Sequence, residues 1–271
     1  MRIFVAEVCL RALRAILAPT RGSRRRPAAI QRLLVVNRLR IGDSVVTTPF
    51  LSQLRSAFPG TEITLLVKPP IQELFGNDPR IDVLVVQGLT KGRLDCRRGK
   101  WVPGFDAAVI LDPTLRSGWI ARRAKARWVA GYDSHARGVF LDARLQAPPY
   151  WNRHLREYRG RLKPMHQVEA WMKLGELLGL PPASGKPWLA LSDADKLWAR
   201  EKLPEDAGKR PWVGLHPGSD PAYRWEPERW AALAEALAVS RGARLFLTGG
   251  PADRELAAAI LSKTKTPILD L

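Results

Sequence analysis

The sequence predicts an α/β protein whose strands form doubly wound parallel sheets, and three observations carry that prediction. Apolar runs of strand length recur at residues 33–36, 63–67, 83–86 and 107–111. Each is continuous rather than alternating, which suits a strand covered on both faces. Between them lie turn residues and segments with helical spacing, and after a break at residues 180–187 the same strand-then-helix order begins again.

Taken in order, residues 1–17 place Phe4, Val8, Leu13, Ile16 and Leu17 along one helix face, with Arg2, Arg11 and Arg14 elsewhere, and Pro19 stops the pattern. The run is too short and too charged to span a bilayer. It lacks the cleavage site of a secretory signal. Arg21, Arg24, Arg25 and Arg26 follow directly. An amphipathic helix with such a cluster can lie on an anionic leaflet; the other reading is a poorly ordered extension or a misplaced start codon. This basic extension is set at residues 1–31.

The organising stretch is residues 33–58, read as a buried strand, a tight turn and a helix in which Phe50, Leu54, Ala57 and Phe58 share a face. Gly42 can take backbone angles closed to other residues, and Asp43 or Ser44 can cap the helix. Ligands of open parallel sheets sit at the carboxyl ends of strands, and Asp43 lies just past the first one. It is therefore either a cap or a group that does chemistry.

Further strands and a short helix over residues 71–75 continue the pattern. Residues 87–104 are glycine-rich and basic and read as an exposed loop. Residues 114–126 read as a helix with a basic surface from Arg116, Arg122, Arg123, Lys125 and Arg127. The segment 150–166 mixes aromatic and basic residues ahead of a helix at 167–178. Such interleaving can serve nucleic acid, a phosphorylated glycan or plain solvent contact, and without a repeat or an RNA-binding motif nucleic acid ranks last.

Residues 180–187 form a proline- and glycine-bearing linker, so the domains are set at 32–182 and 183–271. Asp193 and Asp195 invite a metal assignment but stand at a helix start, where capping explains them. Strands at 212–215 and 244–247 run into His216-Pro217-Gly218-Ser219 and Thr248-Gly249-Gly250-Pro251, each followed by a helix. Such junctions aim backbone amides at a bound anion. Two of them on neighbouring strands suggest a nucleotide diphosphate site, although each alone is explained by turn formation. No dinucleotide or P-loop signature is present.

At 271 residues with 46% hydrophobic content the chain is globular, which excludes disorder throughout. A formal charge of +18 points to an anionic partner, or to the coding bias of a GC-rich genome. Cys9 and Cys96 have no ligand-type spacing and read as free thiols in a reducing cytoplasm.

Five separated motifs then occur in order: RIGDSVVTTPFLSQLRSAFP, GYDSHARG, HQVEAW, GLHPGSDPAYRWEPERWAAL and LFLTGGPADREL. Together they closely resemble the family 9 glycosyltransferases, the ADP-heptose:lipopolysaccharide heptosyltransferase family. The resemblance implies a GT-B fold of two Rossmann-like domains facing a cleft. It implies an inverting reaction with no metal ion and no cofactor, in which an ADP-sugar donates heptose to a lipopolysaccharide core acceptor. Asp43 falls at the proposed catalytic base. Gly218, Ser219, Arg224, Gly249, Gly250, Asp253 and Glu255 fall at donor-binding positions, and Arg38, Arg40, Arg116 and His166 are assigned to the acceptor. The implied location is cytoplasmic, peripheral to the inner membrane.

Two departures stand out. Tyr223 precedes Arg224-Trp225 where many relatives have lysine, and tyrosine brings no positive charge. The chain also ends at residues 267–271 as a third strand without a covering helix, and the family's Asp-Thr-Gly-Pro-x-His loop is absent. The expectation is an incomplete second domain and a chain that is unstable or inactive alone. The alternative function is a non-catalytic remnant that binds anionic glycolipid.

Overall fold

The computed structural model describes residues 24–87, 94–133, 137–146, 165–203, 210–219 and 221–271. The N-terminal helix of residues 1–17, Cys9, the centre of the GYDSHARG stretch and nearly all of the aromatic and basic segment at 150–166 lie outside the described residues.

The first unit is one seven-stranded sheet. Its strands are β1 (Arg32–Val36), β2 (Glu62–Val67), β3 (Val83–Gln87), β4 (Leu94–Arg98), β5 (Phe105–Ile110), β6 (Ala126–Asp133) and β7 (Ala143–Gln146), in the spatial order 4-3-2-1-5-6-7. All neighbours pair in parallel except β3 and β4. β1 is central: Val36 sits level with Leu66 on one side and Ile110 on the other.

The continuous apolar run of β1 is used on both faces. Leu33 and Val35 enter a core with Phe50, Leu54, Val168 and Trp171, whereas Leu34 and Val36 enter a second core with Ile110, Ile120 and Ala121. Burying each such side chain stabilises by about 1.5–3 kcal/mol. Helices α1 (Ile41–Val45), α2 (Thr48–Ala57) and α3 (Gln72–Phe75) follow in sequence. α4 (Leu115–Arg123) lies against the second core, and α5 (Gln167–Lys173), continued by a 3₁₀ turn at Leu174–Leu178, lies against the first.

Two expectations need correction here. Residues 87–104 are not all loop, because β4 pairs antiparallel with β3 around a register irregularity at Leu84/Val85. Its sequence LDCRR is short and charged, as edge strands tend to be, so it lacks the apolar run of a buried strand. The helix expected over 114–126 stops at Arg123, and β6 begins at Ala126. No glycine or proline marks that turn; Lys125 makes it at φ 59°. β6 and β7 went unassigned in the sequence.

The second unit holds a parallel sheet in the order β10-β9-β8, from β8 (Trp212–Leu215), β9 (Arg244–Leu247) and β10 (Ile268–Asp270). α7 (Pro227–Arg241) and α8 (Arg254–Leu261) cover it through Ala234, Ala257 and Ile260. α6 (Asp193–Lys202) starts with a capping box: Ser192 Oγ accepts from the Asp195 amide, and Asp195 accepts from the Ser192 amide. Asp195 is thus a cap, as its position suggested.

The division between units falls between Leu191 and Ser192, later than the 182/183 boundary expected. The reason is local packing. The Trp188 amide donates to Thr48 Oγ1 at 3.0 Å, and the Arg80 guanidinium lies 4.7 Å from the Trp188 ring centroid. Arg80 also donates to both carboxylate oxygens of buried Asp78, to Thr48 O and to Ser52 Oγ. The residues before Leu191 are therefore held to the first unit. The extension set at 1–31 likewise ends early, since Ile30 is in the core and Arg26 donates to Leu178 O.

Charge is divided unequally. Residues 192–271 carry twelve Lys or Arg against twelve Asp or Glu, so the whole excess of +18 belongs to residues 1–191.

Candidate functional site

In the first unit the chain winds outward from β1 in both directions, toward β2 on one side and β5 on the other. In open parallel sheets ligands bind outside the carboxyl ends of the strands at such a switch point, so the residues following β1 and β5 are the ones to consider.

Buried Asn37 shapes the loop after β1. Its Oδ1 accepts from Ser44 Oγ at 3.1 Å and from the Leu39 amide at 3.3 Å, and its Nδ2 donates to Thr47 Oγ1 at 3.4 Å. Its own amide donates to Leu66 O. These bonds hold α1 as a short separate helix ahead of α2, and Asp43 is in its first turn.

No side chain caps α1, so neither Asp43 nor Ser44 acts as a cap. The half-buried Asp43 carboxylate has no hydrogen-bond partner among the described residues. Gly42 needs no special backbone angle: its φ is not positive, and a Cβ there would meet nothing within 4 Å. What it provides is clear space beside Asp43.

From β5 comes a second carboxylate that the sequence reading passed over. Asp112 is buried, with Oδ1 accepting from the Thr114 amide at 3.0 Å and Thr114 Oγ1 at 2.6 Å, and Oδ2 from Ser117 Oγ at 2.5 Å. Like Asp43 it follows an apolar strand run, and that position was the signal available. Arg38 reaches across from β1, its Nη1 lying 3.4 Å from both Thr114 Oγ1 and Ser117 Oγ.

Burial pulls the Arg38 pKa below its ordinary value; Asp112 opposes that shift and the neighbouring charge of Arg116 adds to it. Arg38 Nε is buried with no partner among the described residues. Arg38 and Arg116 are therefore electrostatic neighbours at the carboxyl ends of β1 and β5. Arg40 is exposed at the start of α1, and its carbonyl accepts from the Ser44 amide. His166 is apart from these groups in bonding terms: it caps α5, Nδ1 accepting from the Val168 amide at 3.3 Å.

In the second unit the loops after β8 and β9 converge on Asp253. Its Oδ2 accepts from the Gly250 amide at 2.9 Å, and its Oδ1 lies 3.3 Å from Arg224 Nη2. Arg224 Nε donates to Ser219 O at 2.6 Å, and His216 Nδ1 is 3.1 Å from Thr248 Oγ1. Space for a side chain is short at two points: a Cβ on Gly218 would stand 2.6 Å from Asp253 Oδ2, so that Asp253 would have to shift, and one on Gly249 would stand 3.0 Å from Asp253 Cβ, a tight contact. Gly218, Ser219, Arg224, Gly249, Gly250 and Asp253 are thus one connected group. Glu255 lies outside it, exposed in the first turn of α8. Tyr223 is exposed, and Trp225 packs on Trp230 with ring centroids 5.4 Å apart.

Among the described residues no three His, Cys, Asp or Glu side chains group as metal ligands, and no helix is long and apolar enough to cross a membrane.

A family model described as Glycosyltransferase family 9 (heptosyltransferase) matches residues 102–271. Lipopolysaccharide heptosyltransferase 1 of Pseudomonas aeruginosa is 25% identical over 261 residues, an alignment covering 89% of this chain and 68% of that protein. Among solved structures, a family 9 glycosyl transferase from Veillonella parvula superposes with a TM-score of 0.69 at 21% identity, covering 89% of this chain and 68% of its own. The E. coli heptosyltransferase WaaC solved with ADP superposes with a TM-score of 0.63 at 18% identity, covering 89% and 74%. The chain therefore spans about two thirds to three quarters of the length of these proteins. At such identities the superpositions bear on the fold, a mixed α/β arrangement of GT-B type.

Proposed function

This chain belongs to glycosyltransferase family 9, and on that premise we propose that it moves heptose, or a related sugar, from an ADP-sugar to a lipopolysaccharide core acceptor. The transfer inverts the anomeric carbon and uses no metal ion. The first unit holds the acceptor and supplies the base; the second holds the nucleotide.

One observation carries the assignment of the base. Of the two carboxylates at the β1 and β5 strand ends, Asp112 already accepts three hydrogen bonds, whereas Asp43 has no partner among the described residues. A general base needs a free lone pair within reach of the proton it removes. Asp43 takes the proton of an acceptor hydroxyl as that oxygen bonds to the anomeric carbon. The carbon–oxygen bond to the diphosphate breaks, and the electron pair leaves with ADP.

Arg224 and the amides of the Gly218-Ser219 and Gly249-Gly250 loops stabilise the charge that develops on the diphosphate. Asp253 pins those loops, which leaves Glu255 as the carboxylate free to meet the ribose hydroxyls. Arg38, Arg40 and Arg116 bind acidic groups of the acceptor. His166 joins them through Nε2, because Nδ1 accepts the Val168 amide. On this reading the protein works in the cytoplasm at the inner membrane, and nucleic acid has no part in it.

The test is ADP release from ADP-heptose with a heptose-free core acceptor. Asp43→Asn lowers the rate at least about a hundredfold with an unchanged melting temperature. Transfer at the normal rate by folded Asp43→Asn would overturn the assignment of the base.

The unequal charge favours a second reading, in which the chain only holds anionic glycolipid through its first unit. Calorimetry separates the two: that reading requires glycolipid binding without any affinity for ADP.

A further inference from the structure

A run of exposed basic residues follows α4 and the turn after it. Ser117, Gly118, Ile120 and Ala121 are buried, so Arg116, Trp119 and Arg123 share the outer side of the helix. Trp119 is 49% exposed, with the Arg123 guanidinium 5.4 Å from its ring centroid. Past the helix, Lys125 and Arg127 are exposed, and Arg24 reaches them by donating from Nη1 to Arg127 O at 2.9 Å.

The acidic groups nearby are already engaged. Asp106 is 3.8 Å from Arg127 and accepts the amides of Gln31 and Arg32; Asp142 is buried against Arg122. α4 itself carries none.

Two features set this strip apart from an ordinary solvated face. A large aromatic is left half in water beside a cation. Lys125 also holds a left-handed backbone angle, φ 59°, where glycine would be free of strain.

We infer that this strip is a docking surface for the anionic face of a lipid bilayer. Trp119 enters the headgroup layer, where tryptophan is favoured, and Arg123, Lys125, Arg127 and Arg24 pair with acidic headgroups. A nucleic-acid strand fits less well, because successive bases require several stacking aromatics and the strip offers one. The attachment concerns neither Asp43 nor the donor loops, so it holds whatever sugar is transferred. It is also separate from the helix expected within residues 1–31.

The experiment is cosedimentation of the whole chain with phosphatidylcholine vesicles, with and without phosphatidylglycerol. The protein partitions onto phosphatidylglycerol vesicles, less so at higher salt, and not onto phosphatidylcholine alone. A basic residue at an anionic leaflet is worth about a fivefold change in partitioning, so Arg123→Glu with Arg127→Glu lowers it by at least about thirtyfold. The control with the same charge change, Lys173→Glu with Arg241→Glu, stays within about threefold of the parent.

Lys125→Gly separates binding from folding. It weakens partitioning about fivefold while raising the melting temperature by about 2–4 °C, since the strained angle is relieved. The inference fails if the Arg123/Arg127 reversal binds like the parent, or if the control loses as much. It fails too if single-stranded RNA binds the strip while phosphatidylglycerol vesicles do not.

Discussion

Gly218 and Asp253 approach so closely that a side chain at 218 would force Asp253 to shift: a Cβ there would stand 2.6 Å from Asp253 Oδ2. The contact brings the loop after β8 against the loop after β9, with Arg224 and the Gly250 amide bonded to the same carboxylate. Shape and charge therefore share one residue.

That sharing is measurable. Gly218→Ala destabilises the second unit by about 1–3 kcal/mol, because Asp253 must be displaced. Asp253→Ala removes the obstacle, so the double variant loses less than the two single losses combined. Urea unfolding of the four proteins gives the coupling, and simple additivity would contradict the packing described.

Asn37 is predicted to matter for rate through α1. Asn37→Ala leaves Ser44 Oγ and the Leu39 amide without their acceptor, at a stability cost of about 1–3 kcal/mol. With α1 loosened, Asp43 loses its position, so kcat falls at least about tenfold while KM for the ADP-sugar changes little. Steady-state kinetics beside thermal melting tests this; an unchanged kcat would count against it.

Arg80 and Asp78 form a buried pair whose loss is expensive. Arg80→Ala leaves the Asp78 charge buried and is expected to cost about 3–5 kcal/mol. Arg80→Lys recovers only part of this, because the two-point contact with the carboxylate needs a guanidinium. Denaturant midpoints read both, and a loss under about 1 kcal/mol for Arg80→Ala would contradict the account.

The cap of α6 gives a pH prediction. Hydrogen bonds from the Ser192 hydroxyl and amide hold the Asp195 pKa below its ordinary value of 3.8. A depressed carboxylate pKa adds stability that is present above the ordinary value and lost as pH falls through the lowered one. Protection of the α6 amides, measured against their intrinsic exchange rate, should therefore fall below about pH 4, and Asp195→Asn should abolish that step. Equal acid sensitivity in both proteins would dismiss the cap as its cause.

Strands with continuous apolar runs were legible, because burial on two faces leaves a plain mark in β1, β2, β3 and β5. β4 was not, since its pairing comes from the return of the chain beside β3 and its side chains are those of a solvated edge. The turn at Lys125 was hidden because its residues are ordinary helix formers and tertiary packing ends α4. At the site, Gly218 and Arg224 could be found from loop position and resemblance. The hydrogen bonding of Asp112 to Thr114 and Ser117 required three-dimensional distances, and the choice between Asp43 and Asp112 rests on that difference.

The strand order has a bearing on synthesis. Of the described strands β1 leaves the ribosome first, yet its second flank is β5, complete only when Ile110 has emerged. About 70 residues separate the two, which at roughly 5–20 residues per second means several seconds with the middle strand open on one edge. Leu33 to Val36 is then an apolar backbone edge on a nascent chain, before the sheet that will enclose it exists. Shielding of that edge during translation therefore bears on how much of the chain reaches the finished fold.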